Sequence, residues 1–337
     1  MLVWLASYPR SGNTLLRQVL KSCFDLSSCE GLEPVPEHFL APDGIRDEFY
    51  GSYFVEGDPE AFYTRAHTAP ELVLIKSHQL PRDDAKAIYV VRDGRLAMRS
   101  YTKYQDTYHP GTSTFDSLLL GDHPYGEWTS HHRAWQARGG ETLVVRFEEL
   151  VTADAALLAR IAGFLDLPGP GRAWVNPQAT LREKDAVFFG TGNPEWRPDA
   201  FWTPSRLRAF YTLHGPLLAE LGYVTADEVA VGAYPAGSDD GTRVRDAHAL
   251  ASRNRELQAV CDARATEIAR LKQACDDRAT AIDLLTLECD ARLRATEEAN
   301  RERTRLSTQL AAELESRLAM PPPRPSFAAR LRRLVRG

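Results

Sequence analysis

Cysteine is scarce in this sequence: five residues in 337, too few for a disulfide framework and without any metal-ligand spacing among them. No apolar run is long enough to cross a bilayer, and Met1 leads directly into Leu2-Val3-Trp4-Leu5 with neither a basic n-region nor a cleavage site. The expected location is therefore the cytoplasm. An excess of positive charge is missing too, since 41 Lys and Arg stand against 46 Asp and Glu, a net charge of -5. That balance argues against a general nucleic-acid binder while leaving local basic patches open. What remains, 43% hydrophobic and 26% charged residues with 22 Gly and 21 Pro, is the mixture of a folded protein and excludes a fibrous or disordered chain. The length favours two regions over one large domain.

Up to Val231 short β-branched runs alternate with helical patterns, as in an α/β domain built on a parallel sheet. Val3-Ser7, Leu72-Lys76, Ala87-Val91 and Thr142-Phe147 read as strands. Thr14-Cys23, Arg95-Tyr104 and Ala153-Leu165 space their apolar residues at helical intervals. The expected domains are 1-231, a linker over 232-243 rich in Gly, Pro, Ser and Asp, a coiled coil over 244-319, and a Pro-rich basic tail over 320-337.

From Val244 to Leu318 there is neither Pro nor Gly, which predicts one long helix. Cys261, Cys275 and Cys289 recur every 14 residues, two heptads. With Ile268 and Ile282 they form one seam row, and Leu257, Arg264, Leu271, Arg278, Leu285 and Arg292 form the other. Arg at every second place weakens the seam and can specify register. Self-association and a solvated single helix are both compatible with this pattern, and the cysteines fit either small apolar fillers or interchain disulfides. Beyond Met320, Pro321-Pro322-Pro323-Arg324-Pro325 stops the helix. Phe327, Leu331, Leu334 and Val335 then share a helical face among four arginines, suited either to an anionic membrane surface or to a frayed end.

The strongest functional signal is Ser7-Tyr8-Pro9-Arg10-Ser11-Gly12-Asn13-Thr14-Leu15, between a buried strand and an amphipathic helix. Such a junction aims free N–H groups and the positive end of the helix dipole at one point. Gly12 permits close backbone approach, Ser11, Asn13 and Thr14 offer side-chain hydrogen bonds, and Arg10 adds a permanent charge. The pattern is a phosphate cradle. It is not GxxxxGK[ST], because Asn13 precedes Thr14 where that loop has Lys, and this counts against an ATP-using kinase.

The loop resembles the first signature of the sulfotransferase family, approximately YPKSGTTW, with Arg10 in place of Lys. Lys76-Ser77-His78-Gln79-Leu80-Pro81 resembles the family's KTHLP segment, and Arg92 with Ser100 eight residues later resembles its grip on a 3′-phosphate. Pro124-Tyr125-Gly126-Glu127-Trp128 and Arg146-Phe147-Glu148-Glu149-Leu150 are similar to its PYGSW and RYEDL stretches, the former expected as a packing element, the latter placing Phe147 where a Tyr meets adenine. The likeness covers roughly residues 1-225.

The resemblance implies a three-layer P-loop-like parallel sheet flanked by helices, here followed by the long coiled-coil helix. It implies a sulfuryl donor, 3′-phosphoadenosine 5′-phosphosulfate (PAPS), converted to adenosine 3′,5′-bisphosphate. His78 would be the general base, with Arg10 and Lys76 neutralising charge on the leaving phosphate. Arg10, Ser11, Gly12, Asn13, Thr14, Leu15, Arg92, Ser100, Phe147 and Gly190 would hold the nucleotide, without a metal. One departure stands out: the family's RKGxxGxW loop is replaced by Phe188-Phe189-Gly190-Thr191-Gly192-Asn193-Pro194-Glu195-Trp196, so its Arg-Lys pair is missing unless Arg182, Lys184 or Arg197 substitutes.

The acceptor is expected to meet Glu30 to Pro70, where Glu33, Glu37, Asp43, Asp47, Glu48, Phe49, Tyr50, Tyr53 and Phe54 supply carboxylates and aromatic faces. The expected acceptor is a small molecule or a glycan, with a glycan or glycolipid at an inner membrane face preferred to a phenol. Two other readings are a P-loop-like small-molecule kinase and a non-catalytic coiled-coil assembly protein with a degenerate nucleotide domain.

Overall fold

The computed structural model describes residues 1-32, 46-169, 171-190 and 192-319. It divides into two compact units, Met1–Gln258 and a second beginning at Ala259. Among its described residues the first contains six parallel strands: β1 (Leu2–Ser7), β2 (Ser28–Cys29), β3 (Ser52–Tyr53), β4 (Val73–Ser77), β5 (Lys86–Val91) and β6 (Thr142–Arg146), in the order β3-β2-β4-β1-β5-β6. Parallel neighbours need crossovers, and helices supply several of them: α1 (Asn13–Phe24) between β1 and β2, α2 (Pro59–Thr68) between β3 and β4, and α3 (Gly94–Tyr108), α4 (Phe115–Leu120) and α5 (Trp128–Ala137) between β5 and β6, while β4 runs to β5 without a helix and α6 (Phe147–Thr152) and α7 (Ala155–Phe164) follow the last strand. After these come α8 (Gln178–Lys184), α9 (Pro204–Glu220), α10 (Ala226–Gly232) and the long α11 (Asp239–Ala319).

β1 is buried at every position, as a central strand covered on both faces must be. Its side chains alternate between two cores. Leu2, Trp4 and Ala6 join the cluster of Met98, Trp128, Trp135 and Phe210, contributed by α3, α5 and α9. Val3 and Leu5 join that of Leu16, Val19, Leu150 and Ile161, from α1, α6 and α7. Each fully buried aliphatic side chain contributes roughly 1.5–3 kcal/mol, so the β1 register is fixed from both sides.

Register also places the functional ends of the strands. Ala6 pairs with Ser77 and Ser7 with Val90, so the chain leaves β1, β4 and β5 at one edge of the sheet. The expected strands and helices lie within about two residues of those observed, except that α3 runs on past Tyr104 to Tyr108, Phe147 opens α6 instead of ending β6, and Ala153 caps that helix before α7. The two-residue strands β2 and β3 are too short to leave a periodic signal.

The C-terminal boundaries differ from those expected. Gly232 ends α10, and α11 begins at Asp239 inside the anticipated linker. Its opening turns belong to the first unit: Arg255 donates to the carbonyls of Leu120 and Gly121, and His248 lies 3.7 Å from Glu127. From residue 259 onward nearly every described residue of the helix is exposed. The tail over 320-337, with Pro321 to Pro325 and the arginine-flanked apolar face, lies outside the described residues, as do Glu33, Glu37 and Asp43. Among the described residues no helix is long and apolar enough to cross a membrane.

Candidate active site

The loop between β1 and α1 is shaped by two left-handed residues, Arg10 at φ 62° and Gly12 at φ 111°. A Cβ on Gly12 would stand 2.7 Å from Cδ2 of Phe147, so only glycine lets the loop lie this close to the start of α6. Gly12 also caps α1 without a side-chain hydrogen bond, leaving the first N–H groups of the helix for an anion. Ser11 Oγ is buried and without a partner. Asn13 departs from expectation: its Nδ2 donates to the carbonyl of Leu5 at 2.7 Å, pinning the helix to β1 instead of facing a phosphate. Leu15 packs into the core, so only its backbone can serve the cradle, and Thr14 is half-buried.

Arg92, directly after β5, donates to the Arg10 carbonyl at 3.2 Å and to that of Asn193 at 3.1 Å, while its Nε is buried without a partner. Burial, with Arg10 beside it, pushes this guanidinium down to about 10. Arg10 donates through Nε to Ser100 Oγ at 3.2 Å and through Nη2 to the carbonyls of Val187 and Phe188. Arg10, Ser100 and Arg92 therefore form one cluster. The Arg10 side chain lies with them and over the ring of Tyr104, not beside Lys76. Phe147 lies under Arg92, with its ring centre 4.0 Å from the guanidinium carbon, and is 5% exposed. It supports the loop and offers no open face for adenine to stack on.

The segment after α8 brings carbonyls to both arginines where the family motif has Arg-Lys. Phe188 and Phe189 pack with Tyr50 and Leu181, and Gly190, at φ 57°, accepts from Gln178 at 3.2 Å. Neither Lys184, over the ring of Phe49, nor exposed Arg197, paired with Glu195, is directed at this cluster, and Arg182 is exposed. Trp196 stacks on Arg95, which burial and an ion pair at 2.6 Å fasten to Asp93. Arg95 is thus a core residue.

On the other side of β1, His78 follows β4. Its Nδ1 lies 2.8 Å from the carbonyl oxygen of Ser7, an atom that only accepts, which places the proton on Nδ1 and leaves Nε2 as the basic nitrogen. Burial, then the charge of Lys76, lowers the imidazole to about 3, so it is neutral at neutral pH. The backbone at this point is held from α5, where His131 Nε2 donates to the His78 carbonyl at 2.9 Å and Trp135 Nε1 to that of Gln79 at 3.0 Å. Tyr89 completes the chain with its hydroxyl 3.0 Å from His131 Nδ1.

Glu30, just after β2, is the residue that sequence reasoning missed in this role. Buried Arg17 grips it through two nitrogens at 3.1 and 2.9 Å, and Lys76 reaches it at 3.3 Å. Its carboxyl is held down to about 2: burial opposes this, and the charges of Arg17 and Lys76 outweigh it. Arg17 at a helix position facing the sheet was the available signal, since a buried arginine requires an acid. Lys76, His78, Glu30, Trp4, Tyr125 and Trp135 line a cavity of about 530 Å³, together with Glu60 and Arg82.

The profile of the sulfotransferase domain matches residues 2–176, half of the chain. The chain belongs to the sulfotransferase family. The matched stretch includes the β1–α1 loop, His78, Arg92 and Ser100 and ends before the segment carrying Phe188 and Gly190. Among solved structures, that of the mouse sulfotransferase SULT7A1 complexed with PAP is 18% identical, covering 73% of this chain and 88% of that one with a TM-score of 0.41. No curated protein matches this sulfotransferase.

The site fits a bis-anionic nucleotide by its own chemistry. Buried Ser11 Oγ and Arg92 Nε lack partners, the first turn of α1 is uncapped, and two guanidiniums rest on main-chain carbonyls. These donors match phosphate oxygens. Among the described residues no group of His, Cys, Asp and Glu could hold a metal ion.

Proposed function

We propose that this chain transfers the sulfuryl group of PAPS to a hydroxyl or amine of an acceptor bound in the Glu30–Lys76–His78 cavity. When bound, PAPS supplies the activated sulfuryl group. Ser11, the N–H groups opening α1, and Arg10 would hold its phosphosulfate end; Arg92 and Ser100 would hold the 3′-phosphate. Thr14, the backbone of Leu15 and Gly190 would complete the site, with Phe147 beneath the loop.

His78 is positioned to take the acceptor proton at Nε2, because its Nδ1–H is committed to Ser7. An imidazole lowered to about 3 stays unprotonated at neutral pH, and an anion bound nearby raises its basicity. Lys76 contributes a cation beside the imidazole, steadied by Glu30. Arg10 adds the second once its guanidinium leaves Ser100 and the loop carbonyls.

The observation that carries the reading is the pair of orphaned buried donors, Ser11 Oγ in the β1–α1 loop and Arg92 Nε directly after β5. The aromatic rings and carboxylates of the cavity favour a sugar-bearing acceptor, a glycan or glycolipid, over a small phenol. The test combines calorimetry with adenosine 3′,5′-bisphosphate and transfer from labelled PAPS across hydroxylated glycans, lipids and phenols. Tight nucleotide binding with sulfated product supports the proposal; no nucleotide binding removes it. For the exposed part of α11 we propose self-association through the seam from Leu257 to Arg292, whose apolar members are about half or more exposed in the single chain: Leu271 48%, Ile268 53%, Ile282 63%, Leu285 61%.

A further inference from the structure

We propose that the helix beyond Ala259 pairs with a second copy of itself in antiparallel orientation, the local two-fold axis lying between Asp276 and Asp277. The inference rests on the self-association reading above and adds its direction and register.

The seam alternates two kinds of layer. Cys261 with Arg264, Cys275 with Arg278 and Cys289 with Arg292 are polar layers; Ile268 with Leu271 and Ile282 with Leu285 are apolar. All of these seam residues are solvent-facing in the single chain: the cysteines are exposed thiols, and Leu271 is 48% exposed.

A parallel, in-register pair and an antiparallel pair about that axis satisfy the apolar layers equally. In the first, Ile meets Ile and Leu meets Leu; in the second, Ile268 meets the partner's Leu285 and Leu271 meets the partner's Ile282. The polar layers decide between them. Parallel packing stacks Arg264, Arg278 and Arg292 each on its own copy, placing like charges together at the seam where water is excluded. Antiparallel packing sets every one of these arginines against a cysteine: Arg292 by the partner's Cys261, Arg278 by the partner's Cys275, Arg264 by the partner's Cys289. A thiol carries no charge to repel a guanidinium, and a shift by one heptad would instead set Ile against Arg.

The rim works the other way and weighs less. Parallel packing brings Glu267 towards the partner's Lys272, whereas antiparallel packing brings Glu267 towards the partner's Glu288. Both carboxylates are already neutralised within their own helix, Glu267 by Arg270 at 2.7 Å and Glu288 by Arg292 at 2.6 Å. Exposed rim charges are screened by water and salt, so the desolvated layers of Arg264 and Arg278 outweigh them even with Arg292 already drawn to Glu288.

Thiol cross-linking of the full chain tests this. One variant keeps Cys261 (Cys275→Ala/Cys289→Ala) and another keeps Cys289 (Cys261→Ala/Cys275→Ala); both retain buried Cys23 and Cys29. In the antiparallel pair two copies of Cys261 lie about 46 Å apart along the axis, while Cys261 and the partner's Cys289 are within about one helical turn. A short bismaleimide should link the mixed variants and leave each variant alone unlinked. Efficient linking of the Cys261 variant to itself overturns the antiparallel arrangement while leaving self-association standing. A chain that sediments as a monomer at all concentrations overturns both, without bearing on the sulfotransferase reading.

Discussion

Nδ1 of His78 lies 2.8 Å from the main-chain oxygen of Ser7, so the strand that opens the anion loop also sets the tautomer of the proposed base. His78→Ala should lower kcat by roughly 10²–10⁴-fold while leaving calorimetric affinity for adenosine 3′,5′-bisphosphate nearly unchanged. Near-normal turnover in this variant would remove His78 from the chemistry.

Arg92 and the 3′-phosphate give a second expectation. Arg92→Lys keeps the charge and loses the planar fork, a change worth roughly 1.5–3 kcal/mol for a charge-assisted contact. Binding of adenosine 3′,5′-bisphosphate should weaken accordingly, with much less effect on adenosine 5′-monophosphate, which lacks the group concerned. Equal losses for the two ligands would place Arg92 elsewhere.

Gly12→Ala combines a positive φ of 111° with a contact of 2.7 Å to Phe147, a strain of about 1–3 kcal/mol. The variant should bind nucleotide more weakly, and Phe147→Leu in the same chain should restore part of the loss. Calorimetry of the single and double variants measures both.

Glu30 and Arg17 form a buried pair with side chains 4% and 2% exposed. Glu30→Gln leaves the guanidinium uncompensated and should cost about 3–5 kcal/mol in urea unfolding. Adding Arg17→Met should recover part of that cost, which separates an ion pair from mere packing. If the double variant is the less stable one by the full sum, the coupling is absent.

Acid should destabilise the protein in two stages. His78 is lowered to about 3, His123, His131 and His132 to about 4, and His214 is lowered as well, chiefly by burial, from an ordinary value of 6.5. The folded form therefore binds fewer protons than the unfolded form, and the stability these groups contribute is complete above pH 6.5 and lost as pH falls below it. Glu30 and Glu127, held at about 2 against 4.5, add a second loss below pH 4.5. The melting temperature should fall from pH 7 to pH 5 and again below pH 4.5; a flat profile would contradict the buried neutral imidazoles.

The central sheet was legible because β1, β4 and β5 are built on apolar runs that give way to polar residues at Ser7, Lys76 and Arg92, each followed by turn chemistry. Loop and strand ends could be read from local order alone, since parallel register carries them to one edge. Long-range side-chain choices could not. Asn13 has a polar amide that suits a phosphate or a strand carbonyl equally, and only folding shows Leu5 beneath it. Phe147 reads as an aromatic near adenine until Gly12 and Arg92 are seen to cover it. Glu30 looked like one acid in an acidic stretch, because its partners Arg17 and Lys76 reach it from a helix and a neighbouring strand.

The carbonyls of Phe188 and Asn193 engage Arg10 and Arg92 on the face where the family motif would supply positive charge. The segment thus acts as an internal competitor: any incoming anion must first win those guanidiniums from peptide oxygens. Measured nucleotide affinity in this chain reports that exchange, and loosening the segment at Phe188 or Asn193 would tighten binding without altering Arg10, Arg92 or the β1–α1 loop.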